Sequence, residues 1–155
     1  MQLLRFLARY FAWVQRVFPW APTIFDGILM LFALLFTPRR FIVQERFWNQ
    51  ILDLAGVSET SHRYGGREAV VQGRELCHIH GNGVLDFILP KGVHVPDALN
   101  AHIHPHHVYP NSRWRTILVS KSIDNAAVIT LLNAIREQRY IQGPLADTDA
   151  IRDAV

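Results

Sequence analysis

Apolar positions recur along this chain in three successive patterns. Over Leu3–Phe18 they keep helical spacing, with Leu3, Leu7, Tyr10, Phe11, Val14 and Phe18 on one face and Arg5, Arg9 and Arg16 on the other. The pattern predicts an amphipathic helix with a cationic stripe. Trp13 and Trp20, whose rings favour a headgroup region, suit it to lie in a membrane interface. Pro19 and Pro22 break it. From Thr23 to Thr37 the sequence is almost wholly apolar, with Asp26 the only charge, and Pro38-Arg39-Arg40 closes the run. At about 1.5 Å per residue such a helix covers roughly 23 Å of a hydrocarbon core about 30 Å thick. The run therefore suits a re-entrant or tilted hairpin as well as a crossing, and a buried core helix with an amphipathic neighbour is the alternative. If it crosses, Arg39 and Arg40 place the C-terminal domain on the cytoplasmic side. Arginines within the first helix and the lack of a small-residue cleavage site disfavour a signal peptide.

Beyond residue 40 the period changes. Phe41, Val43, Phe47, Trp48, Ile51 and Leu54 predict a helix over Phe41–Leu54, stopped at Gly56. Three strands come next, Glu68–Gln72, Glu75–His80 and Val84–Leu89, turned by Gly73 and by Gly81-Asn82-Gly83 into an antiparallel meander. Pro96–Ile103 reads as a short helix, Trp114–Val119 as a fourth strand, and Ser122 as the N-cap of a helix reaching Tyr140. Gly143 and Pro144 end that helix. The pattern predicts an α+β domain over residues 41–142, a small antiparallel sheet of about four strands packed with helices. A hydrophobic helical hairpin over 1–40 precedes it, and a poorly ordered tail over 143–155 completes the chain. A length of 155 residues fits one such domain with appendages.

Composition sharpens this division. Residues 1–57 carry most of the large apolar side chains, whereas residues 58–113 hold all eight histidines. The net charge of +3 comes largely from arginines in the N-terminal region, as expected of a chain that meets anionic headgroups. No RNP signature, zinc-finger spacing or continuous basic stripe accompanies it, so no nucleic-acid partner is expected. Cys77, the single cysteine, excludes an intramolecular disulfide and disfavours a cysteine-based zinc site; alternation turns it away from His78, as a core filler.

The candidate chemistry lies with the histidines. His78 and His80, two apart on a strand, point to one face. His102, His104, His106 and His107 crowd the loop before Trp114. One reading takes His78, His80 and one loop histidine as three nitrogen ligands of a metal with an open position. Asp86 is there a ligand or an orienting partner, or else simply a polar residue at a hairpin edge. A metal-free reading uses the same histidines as a general base and as donors to a developing anion. A third keeps them structural or pH-sensing in a membrane-anchored binding module. Gly81-Asn82-Gly83 joins strands rather than opening a helix, so it is no phosphate loop.

The string Glu75-Leu76-Cys77-His78-Ile79-His80-Gly81, then Pro105-His106-His107, Trp114 and a helix with Ile123, Ala126 and Leu131, resembles the luciferase-type domain of the fungal bioluminescence luciferase and its short bacterial relatives. The resemblance covers roughly residues 62–140. The fungal enzyme has a hydrophobic N-terminal anchor too. Where it looks to have a histidine, this chain has Asp86, as bacterial relatives commonly do. The resemblance implies oxidation of a hydroxylated hispidin or similar enolisable pyrone or aromatic compound by molecular oxygen, with carbon dioxide and light as products and no established metal or organic cofactor. It implies His78, His80 and His107 as catalytic residues. Trp114, Arg115, Asp86 and His106 are then expected around the substrate: Trp114 to stack on it, or else fill the core, and Arg115 to hold its anion, or else lie exposed. Lipid is the expected partner of residues 1–40, whose exposed faces also suit assembly of subunits.

Overall fold

The computed structural model describes residues 21–62, 65–106, 108–120 and 122–141. At its centre is a six-stranded sheet of β1 (Val57–Ser61), β2 (Arg67–Val71), β3 (Arg74–Ile79), β4 (Val84–Ile88), β5 (His104–Pro105) and β6 (Trp114–Leu118), in the order β1-β2-β3-β4-β6-β5. Every pairing is antiparallel. The α+β class predicted from periodicity holds, and β2, β3, β4 and β6 are the four predicted strands. The two additional strands form the sheet's edges. In β1 Ser58, Glu59, Thr60 and Ser61 are all exposed, so no apolar alternation marks it, and β5 is too short for a periodic signal.

Alternation sends one face of this sheet into the core. Ala69, Val71, Cys77, Ile79, Leu85, Phe87 and Ile117 meet Phe47, Trp48 and Ile51 of α2 (Pro38–Leu52) and Val128, Leu131, Leu132 and Ile135 of α3 (Asn125–Arg136). Burial also pushes the Cys77 thiol up, so it stays protonated and acts as core filler. Two arginines tie the helices down. Arg67 pairs with Glu45 and Glu59, each at 2.6 Å, over the ring of Trp48, and Arg136 donates to the carbonyl of Ala55 at 2.9 Å.

Helix boundaries shift for local reasons. Helix α2 starts at Pro38, where the fixed φ and missing N–H are tolerated in a first turn, ahead of the expected Phe41. The cap of α3 is Asp124, whose carboxylate accepts from the Ala127 N–H at 3.1 Å; Ser122, the expected cap, shares a hydrogen bond with Ser120 instead. Glu137–Ile141 continue α3 as a π-helical turn. The helix expected over Pro96–Ile103 shrinks to one 3₁₀ turn, Asp97–Leu99, which buries Leu99.

Ahead of this domain runs α1 (Ala21–Phe36), on which Ile24, Ile28, Met30, Leu31, Phe32, Leu34, Leu35 and Phe36 are exposed. Among the described residues no helix is long and apolar enough to cross a membrane. The predicted helix Leu3–Phe18 and the predicted tail over 143–155 lie outside the described residues.

Candidate functional site

The face of the sheet opposite the core carries a row of polar residues in register. Thr60 lies opposite Glu68, Glu68 opposite His78, His78 opposite Asp86, Asp86 opposite Thr116, and Thr116 opposite His104, so one line crosses all six strands. Directly opposed residues share a face, and the row therefore draws its side chains together. Asp86 sits near the middle with no exposed surface. Expected as a ligand, an orienting partner, a group near the substrate or simply a hairpin-edge polar residue, it occupies a central strand as the hub of the site. Its Oδ1 accepts from the Thr116 hydroxyl, and its Oδ2 faces Nε2 of His78 at 3.4 Å, of His80 at 3.6 Å and of His106 at 3.6 Å. These separations are within strong Coulombic reach but longer than a well-formed N–H···O bond.

Each ring is placed by a distinct local device. Along β2 and β3, Ala69 opposes Cys77 while Val70 opposes Glu75, so Leu76 is an extra residue and β3 is bulged there. The bulge lets Glu75 accept from His78 Nδ1, leaving His78 Nε2 toward Asp86. His80 comes next on the same face, its ring edge-on to His78 at 85°. His106 reaches in from the loop after β5. Its Nδ1 accepts from the backbone N–H of Val108 at 3.1 Å and of Tyr109 at 3.2 Å, so its Nε2 must carry the proton.

A fourth imidazole comes from the β1–β2 loop. His62 stacks on His78 with ring centroids 3.9 Å apart, and its Nδ1 donates to the Gly65 carbonyl at 3.2 Å. Gly66, at φ +89°, permits this tight return, because a Cβ there would fall 2.4 Å from the Ile79 carbonyl oxygen. Trp114 leans on two rings at once, 5.7 Å from His78 and 5.8 Å from His106, and Tyr109 stacks on His106 at 5.3 Å.

Charge is set by these contacts. Burial disfavours an ionised Asp86, but His106, His78, His80 and the Thr116 hydroxyl outweigh it and hold the carboxyl well below its usual range. Burial likewise disfavours a charged His78, yet Asp86 and Glu75 raise its pKa above the ordinary value. At His62, burial and the neighbouring His78 outweigh Glu75 and the Gly65 carbonyl and lower the pKa to about 4. At neutral pH a buried carboxylate thus faces an imidazole that favours its proton, with a neutral ring stacked behind.

Residues 73–135 match the family model described as the Luciferase domain. Over this stretch the chain is similar to luciferase-type domains. No curated protein and no solved structure matches it. The matched stretch runs from the turn before β3 almost to the end of α3 and includes His78, His80, Asp86, His106, Trp114 and Thr116.

Five of the site residues expected from sequence, His78, His80, Asp86, His106 and Trp114, come together on the sheet face opposite the core. Trp114 is half-buried on the histidine face, outside the core cluster. Arg115 does not join them. It opposes Phe87 on the core-facing side of β6, and its guanidinium donates to the carbonyls of Ser112 at 2.8 Å and Trp114 at 2.7 Å, bracing the loop. His107 lies outside the described residues, and His104 is exposed at the sheet edge. Sequence reasoning passed over His62, Glu75 and Thr116. The Gly65-Gly66 pair after His62 was a readable signal of a tight return, whereas the bulge that aims Glu75 has none.

Proposed function

We propose that this domain is a luciferase-like oxygenase that oxidises an enolisable pyrone or aromatic compound, such as hydroxylated hispidin, with molecular oxygen. The buried carboxylate ringed by three imidazoles, within a stretch that matches the luciferase family, carries this reading. His80, with 22% of its side chain exposed, is the most accessible of the three rings and the base that takes the enol proton. The resulting enolate is electron-rich enough to reduce oxygen. His106 Nε2–H and the His78 imidazolium, balanced by Glu75 and Asp86, are donors to developing negative charge. Trp114 offers a flat apolar surface to an aromatic ring. This proton chemistry requires no organic cofactor, and light emission needs the further condition that an excited product escapes quenching.

The apolar surface of α1 supports a second element of the reading, attachment at a membrane interface. Oxygen consumption and photon emission with hydroxylated hispidin test the chemistry. Uptake by the native chain that falls at least about a hundredfold in His80→Gln supports it. Folded native protein that consumes no oxygen sinks the substrate assignment.

A further inference from the structure

Two groups of three side chains on the histidine face bring donor atoms within 4.8 Å of one another: His78, His80 and Asp86, and His62, Glu75 and His78. Orientation separates them. The rings of His62 and His78 are only 11° from parallel, so their in-plane lone pairs do not converge on one point, and Glu75 already holds His78 Nδ1. The rings of His78 and His80 stand at 85°, and each turns its Nε2 toward Asp86 Oδ2.

The spacing within the first group is that of a coordination shell. Donors about 2.1 Å from an ion lie roughly 3.0–3.4 Å from one another, between octahedral and tetrahedral limits. The observed edges to Asp86 Oδ2 are 3.4 Å, at the upper limit, and 3.6 Å, slightly beyond it, so a small inward movement of His80 would complete the shell. Among the described residues this fully buried oxygen has no hydrogen-bond partner, while its twin is held by Thr116. A buried carboxylate oxygen left so, aimed at two nitrogens beyond hydrogen-bond length, implies something between them. Glu75 supplies the outer carboxylate that fixes a ligating imidazole in the tautomer with Nε2 available.

We propose that His78 Nε2, His80 Nε2 and Asp86 Oδ2 bind a divalent first-row transition-metal ion, leaving further coordination positions open to a small molecule. Two imidazoles and one carboxylate suit iron(II), manganese, cobalt or zinc rather than calcium, magnesium or copper(I). The set differs from the three imidazoles read from sequence, because a carboxylate takes the place of the loop histidine. His106 is excluded as a ligand: two backbone N–H groups occupy its Nδ1, so its Nε2–H is a donor beside the ion. The ion would occupy the His78 and His80 nitrogens that the metal-free proton chemistry uses, so an ion-loaded site and a metal-free base are alternative states of these residues, whichever organic compound the domain oxidises.

The test is titration of the chelator-treated full chain with cobalt(II), read by visible absorption, and with zinc, read by melting temperature and metal content after gel filtration. The expected result is about one ion per chain and a raised melting temperature. Affinity should fall at least about tenfold in His80→Gln, in Asp86→Asn and in the outer-shell variant Glu75→Gln. Native protein that gains no cobalt spectrum and no thermal stabilisation overturns the site, and this holds even if the variants fail to fold. Equal affinity in folded His80→Gln with loss in His62→Gln overturns it in favour of the parallel pair. Oxygen uptake by metal-free protein overturns a catalytic ion but leaves the oxygenase reading; bound metal without uptake does the reverse.

Discussion

Glu75 accepts a hydrogen bond from His78, three positions along the same strand, a contact that regular alternation would forbid and that the extra residue Leu76 makes possible. The carboxylate therefore acts on the ring from behind, through Nδ1, while Nε2 faces Asp86.

Removing that carboxylate has a defined sign. In chelator-treated protein, Glu75→Gln keeps an acceptor at the same place but deletes the charge that helps raise the His78 pKa. The His78 titration, observed by nitrogen-15 NMR of the imidazole, should move to lower pH. An unchanged titration would show that Asp86 alone sets it.

Asp86 and Thr116 make a paired test of the hub. Thr116→Val removes the donor to Asp86 Oδ1 and should cost about 1–3 kcal/mol in urea denaturation. Asp86→Ala strips the counter-charge from three rings and should cost more, about 3–5 kcal/mol. Equal, small effects from both would mean that the carboxylate is compensated elsewhere.

Stability should be highest near neutral pH. His62, with its pKa lowered from 6.5 to about 4, stays neutral in the fold while the unfolded chain takes up a proton, so stability present above 6.5 is lost as pH falls toward 4. That loss is up to about 3 kcal/mol for one site. His78 acts oppositely: its raised pKa gives stability fully present below 6.5 and lost as pH rises through the folded-state value. Asp86, depressed, loses its contribution only below 3.8. Among the described residues, the groups facing His62 include the Gly65 carbonyl, His78, Glu75 and His80. In chelator-treated protein His62→Phe, which keeps a stacked ring, should flatten the acid limb of the urea midpoint between pH 6.5 and 4. Retention of the full slope would assign that limb to another group.

The exposed residues of α1 predict lipid affinity. Leu31→Asp and Leu35→Asp each replace an apolar contact worth about 1.5–3 kcal/mol when buried and should reduce cosedimentation with anionic vesicles at least about tenfold. Native protein that remains in the supernatant without detergent would remove the membrane from the reading.

Much of this architecture was legible in the sequence because the relevant signals are local. Alternation turned Cys77 away from His78 as a core residue, and the spacing of His78 and His80 put both rings on one face. The illegible part depended on register. Asp86 becomes the hub only because the turn at Gly81-Asn82-Gly83 sets it opposite His78, and Thr116 only because β6 pairs with β4 across an intervening loop. Arg115 illustrates the same point in reverse: one place from Trp114, it faces the other side of the sheet.

The polar row across the strands makes the site a product of the finished sheet. Its rings and carboxylates arrive on a loop before β2, on β3, on β4, on the strand beyond the long loop and on that loop itself. No single hairpin owns the chemistry, and the stretch that matches the family begins after His62 has already been supplied. A fragment cut at Gly73 would keep the family's motif yet lose β1, β2 and the stacked ring. The smallest piece of this protein that carries the whole site must therefore start upstream of the stretch that matches the family.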